Sequence, residues 1–197
     1  ASDAYAPLLQ KAVEAAYVKI SAEFLKGAVP KAAEAATAKV VREKPNQDKK
    51  ELKDIRAVVE KGVTEETVKL VQTDMDASSK AERIGVSKDN AEAELINAAF
   101  KIPKKEDIKK QLEGAIPSLS EKVLREQFKA LGDDPGFQMI LVDVAAKIAP
   151  KVNEKVMKER GDKAAKEKAD RDAKEKVDRE KKDKEKKDAE DKAKKEK

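Results

Sequence analysis

The chain has 197 residues, of which 43% are charged and only 3% aromatic, with a net charge of +5. It contains no histidine and no cysteine. That removes disulfides, cysteine–histidine nucleophile pairs and the usual zinc ligand sets together. Both signs of charge are interleaved, which suits solubility better than a nucleic-acid footprint.

Leu, Ile, Val and Phe total 41, and all but Val177 precede residue 161. Any core therefore belongs to roughly the first 160 residues. The longest apolar run, Met139 to Val142, is far short of a membrane span. The chain opens at Ala1 without an initiator methionine, which leaves room for a removed presequence.

The spacing of Leu9, Val13, Ala16, Ile20 and Phe24 predicts a first helix over 8–26, with Pro7 at its start. Gly27 and Pro30 are expected to break it. An alanine-rich second helix over 31–43 should end before Pro45.

The stretch Asp48–Ile84 predicts an αα-hairpin. Leu52, Ile55 and Val59 lead to a joint at Gly62, and Thr64 with Glu65 and Glu66 opens the next helix. Val68, Val71 and Met75 continue its apolar face.

After Gly85, Ser87 is positioned to cap a helix through Phe100. Pro103 should interrupt, with a short helix over 104–113 carrying Ile108 and Leu112. Ser118 with Glu121 fits a capping box for a helix bearing Val123, Leu124, Phe128 and Leu131. Gly132-Asp133-Asp134-Pro135-Gly136 reads as a turn rather than a cation loop, since two adjacent acids lack the other oxygen ligands of such a site. Phe137 to Met157 is the most apolar helix of the chain, and Pro150 should kink or split it.

From Asp162 onward the composition changes. Sixteen basic and thirteen acidic residues leave only six alanines and Val177 in the last 36 positions. Opposite charges three or four apart favour one solvated helix of roughly 54 Å. Ala165, Ala169, Ala173 and Val177 form a thin stripe along it. That stripe suits a strut laid on a partner better than a phosphate binder, because no aromatics are interleaved.

The expected fold is all-α: a helical bundle with an αα-hairpin core and a long charged C-terminal helix. Its divisions are a three-helix module over 1–86, a second helical segment over 87–160, and a tail over 161–197. No residue set has the pattern of a catalytic, cofactor-binding or metal site. The seven glycines form no phosphate loop, and the carboxylates stand beside lysines on wet faces rather than in apolar pockets.

The pattern Asp54-Ile55, Val59, Gly62, Glu65-Glu66, Val68, Val71, Asp74-Met75, preceded by Tyr17, Lys19 and Val29-Pro30-Lys31, resembles an accessory-subunit family of mitochondrial complex I. This is the NADH–ubiquinone oxidoreductase alpha-subcomplex subunit five family, and the likeness covers residues 8–84. It implies a cofactor-free, non-catalytic helical module on the matrix side of the inner membrane, buried among other subunits. The partner-binding residues expected on this basis are Ile55, Val59, Val68, Val71 and Met75, with Ala165, Ala169, Ala173 and Val177 on the tail. Two alternatives fit the same physics: a peripheral-stalk subunit of a mitochondrial ATP synthase, and a Lys-rich binder of nucleic acid or an anionic surface.

Overall fold

The computed structural model describes residues 5–102 and 108–195, with side chains through residue 186. Among the described residues there is no strand and there are five helices: α1 (Ala6–Val40), α2 (Lys49–Ser78), α3 (Lys80–Ala99), α4 (Ile108–Gly132) and α5 (Pro135–Lys195). The all-α expectation holds. Two compact units are formed, Ala1–Asn153 and Glu154–Lys197.

In the first unit α1 is the hub, packing on α2, α3 and α4. Pro7 stands in its first turn, where a missing N–H leaves no bond unmade. Its buried face runs from Leu9 through Val13, Tyr17, Ile20, Leu25 and Val29 to Ala33 and Ala36. The helix ends before Pro45, and Asn46 takes a left-handed φ of 63° to turn the chain. Asp48 then caps α2, its Oδ1 accepting from Lys50 N at 2.7 Å and Glu51 N at 2.9 Å.

Helix α2 returns along α1. Arg56 Nε donates to the Val41 carbonyl at one end, and Tyr17 meets Asp76 at the other. Helix α3 continues in the same direction after a break at Ser79, bringing Ala91 and Leu95 into a cluster with Leu9. Helix α4 comes back beside α3 and parallel to α1, tied by Lys122–Glu94 at 2.7 Å and Lys19–Glu121 at 2.7 Å. The first part of α5 extends that course, with Phe137 against Phe24 and Val152 against Gly62. The first unit is thus three lanes of helix. Lane one is α1, lane two is α2 followed by α3, and lane three is α4 followed by the start of α5.

Several expected helix boundaries are overturned. The hairpin joint at Gly62 is absent: α2 runs through it, and the hairpin is made instead by α1 and α2. Gly62 serves a close approach, because a Cβ there would stand 2.7 Å from Val152 Cγ1. Glycine in mid-helix is unfavourable by roughly 1 kcal/mol relative to alanine, and packing against Val152 offsets that.

Gly27 and Pro30 do not end α1, the break after Ile84 at Gly85 falls inside α3, and Ser87 is an interior buried residue rather than a cap. Residue 86 lies within α3. Ser118 caps nothing, since α4 begins ten residues earlier, and Glu121 pairs with Lys19 and Arg125 instead. Pro150 does not split α5.

Pro30, Pro117 and Pro150, which lie inside α1, α4 and α5, share one explanation. Each removes a bond to the carbonyl four residues back, namely of Lys26, Glu113 and Ala146, and all three of those residues are exposed, so the freed acceptor lies on the solvent side of its helix. Buried neighbours Val29, Ile116 and Ala149 then hold the helix in place. The expected interruption at Pro103 and the start of the 104–113 helix lie outside the described residues.

In the second unit, every described side chain from Gly161 to Lys186 is exposed. Helix is favoured there by residue type and by pairs such as Lys163–Glu167 at 3.9 Å.

Candidate interaction surface

Four aromatic rings fasten the middle of the first unit. Phe128 of α4 lies 5.9 Å from Tyr17 and 5.1 Å from Phe24, and Phe24 lies 5.6 Å from Phe137. The tilted geometries suit the ring quadrupoles. Arg83 and Lys80 cover the rings with cations, each 5.6 Å from a centroid. Tyr17 Oη donates to Asp76 Oδ1 at 3.1 Å, and Gln72 Nε2 donates to the same oxygen at 2.9 Å. Burial, then the Asp76 hydrogen bond and charge, push the Tyr17 hydroxyl above its ordinary pKa of 10.0, against a smaller opposing effect of Arg83. This is a fastening and not a reactive group: it stays protonated at any physiological pH.

The remaining shifts mark ion pairs on the surface. The Lys19 hydrogen bond holds the Glu121 carboxyl below its usual range, and the Glu94 hydrogen bond raises Lys122. Both pairs bridge neighbouring helices at the protein surface, where such contacts contribute little. A cleft of about 340 Å³ opens where lanes two and three both break, bordered by Ser79, Glu82, Arg83, Gln127, Leu131 and Asp134. Arg83 Nε donates to Ser79 Oγ at 3.2 Å, and the Asp134 carboxylate accepts from Gly136 N at 2.8 Å, capping α5. Asp133 and Asp134 thus lie in a turn, and among the described residues no group of three or more acids is placed to hold a metal ion.

The expected partner-binding residues divide. Ile55, Val59, Val71 and Met75 are buried in the first unit's own interior, and Val68 is half-buried. The α2 stripe is therefore covered by this chain itself. Ala165, Ala169, Ala173 and Val177 are all exposed.

A surface that the periodicity of α2 did not point to lies at the start of α5. Ten of the thirteen residues from Phe137 to Ala149 are apolar, so apolar side chains project in every direction. Phe137, Leu141, Ala145 and Ala149 recur every four residues and are buried. Met139, Val142, Ala146 and Pro150 line the far side in water, and Ile140 flanks them. Met139 is 66% exposed, Ile140 53% and Val142 46%. A helix apolar all round is normally enclosed, so the composition of this stretch was the available signal. No helix among the described residues is long and apolar enough to cross a membrane.

No family model, curated protein or solved structure matches the chain.

Proposed function

We propose that this protein is a non-catalytic scaffold subunit of a larger protein assembly, bound through the outer side of α5. The observation that carries this reading is the uncovered stripe of Met139, Val142, Ala146 and Pro150 on a helix whose opposite side already holds the core. Apolar surface in water is unfavourable by roughly 25 cal/mol per Å². Another protein's helix, laid into such a stripe, removes that penalty. The exposed alanine stripe from Ala165 to Val177 supplies a second, thinner contact line.

Among assemblies, the resemblance over residues 8–84 favours the matrix arm of mitochondrial complex I, and that is our specific proposal for partner and location. The Asp54–Met75 part of that pattern lies on the single helix α2 rather than on the two helices of a hairpin, and Tyr17, Lys19 and Val29-Pro30-Lys31 lie on α1. A peripheral stalk of the ATP synthase is the second reading, favoured by the 61-residue length of α5.

Native gels of mitochondrial extracts test the first reading. The protein is expected to co-migrate with NADH dehydrogenase activity, and the exposed-site variants Met139→Lys and Val142→Glu to migrate free. Wild-type protein running as a small free species overturns the scaffold reading. Co-migration with ATPase activity replaces complex I by the stalk.

A further inference from the structure

A different end of the first unit combines a projecting ring and an unfilled hole. Phe100, immediately after α3, is 85% exposed, the largest exposure among the large apolar residues of the described chain. The residue before it, Ala99, lines an open cavity of about 90 Å³ with Leu9, Leu95, Ile96 and Leu112. This cavity is smaller than the ~150 Å³ that encloses a whole benzene, but its open mouth means a ring need enter only part-way. Among the described residues the one charged side chain lining it is Glu92, and the residue following Phe100 is Lys101. The knob thus carries a cation beside it and the hole an anion.

Phe100 projects into solvent rather than into the cavity of its own chain, yet it directly follows Ala99, which lines that cavity. When the two halves of a contact are adjacent in this way, a two-fold copy can satisfy both at once, as in an isologous interface. We infer that the occupant of this cavity is Phe100 of a second copy of the chain, in an isologous dimer. Each Phe100 enters the other's cavity, and each Lys101 meets the other's Glu92. The surface is separate from the α5 stripe, so a dimer and a bound scaffold partner are independent outcomes.

Sedimentation of the full chain across a concentration series tests this. Wild type is expected to show a monomer–dimer equilibrium, and Phe100→Ala to weaken it by roughly tenfold or more, as for a buried aromatic anchor. Both residues of the charge pair are outside the core, so Lys101→Glu and Glu92→Lys should fold normally, as circular dichroism will confirm. Each alone sets like charges together twice and weakens association a few-fold. An equimolar mixture of the two variants restores opposite charges at both contacts and should recover wild-type dimerisation. A wild type that sediments as a monomer throughout overturns the inference, as does a dimer indifferent to Phe100→Ala. A mixture no better than its components overturns the two-fold geometry. Association of Phe100 with a different protein alone, and never with a second copy, also overturns it.

Discussion

Residues 137–149 and 161–186 belong to one helix, yet different forces hold them. The earlier stretch is helical because Phe137, Leu141, Ala145 and Ala149 are buried. The later stretch buries nothing described and relies on residue propensity and on side-chain pairs worth about 0.2–0.5 kcal/mol each. Burial tolerates a proline in the ladder at position 150. Local pairing has no such reserve. The comparison separates helix that is imposed by packing from helix that is written into the sequence.

The largest effect expected in the packed region is from Phe128→Ala. It removes the ring shared by Tyr17 and Phe24 and should lower stability by about 3–5 kcal/mol in denaturant titrations. The loss should be insensitive to salt. A salt-dependent loss would blur the distinction between the two regions.

Next comes Gly62→Ala, which raises helix propensity yet sets a Cβ against Val152. We expect a net destabilisation of about 1–3 kcal/mol, relieved in the double variant with Val152→Ala. Stabilisation by the single change would mean that propensity outranks packing there.

Tyr17→Phe should lower stability by about 0.5–1.5 kcal/mol at neutral pH. In the wild type, Tyr17 ionises at a higher pH in the fold than in the unfolded chain. Its contribution is therefore complete below about pH 10 and lost as pH rises beyond that. Thermal melts between pH 9 and 11 should show a decline in the wild type that is shallower in Tyr17→Phe.

The smallest effect on global stability belongs to the tail. Ala169→Gly should disfavour local helix by about 1 kcal/mol, reducing the far-ultraviolet helical signal, more so at high salt, while leaving the thermal midpoint unmoved. A shifted midpoint would show that the tail draws on packing after all.

Residue pattern alone was enough for the helical class, the Gly132–Gly136 turn and the first-helix face from Leu9 to Phe24, because amphipathic spacing and turn residues act locally. Helix ends were less legible. Gly27, Pro30, Gly62, Pro117 and Pro150 carry local signals to stop, and each is overridden by burial of residues one to four positions away. Those residues meet partners far along the chain, such as Gly62 with Val152, which no local pattern reports. The same reason hid the candidate surface. Val59 and Met139 both read as apolar helix positions, and only the arrangement of lanes decides that one is enclosed and the other left in water.

Lanes two and three are interrupted at the same level, beside Ser79 and Asp134, where both breaks border one cleft. Only α1 crosses that level with its backbone ladder intact. Any bending of the first unit at that level must therefore pass through the turns of α1 around Tyr17 to Leu25, beside the four packed rings.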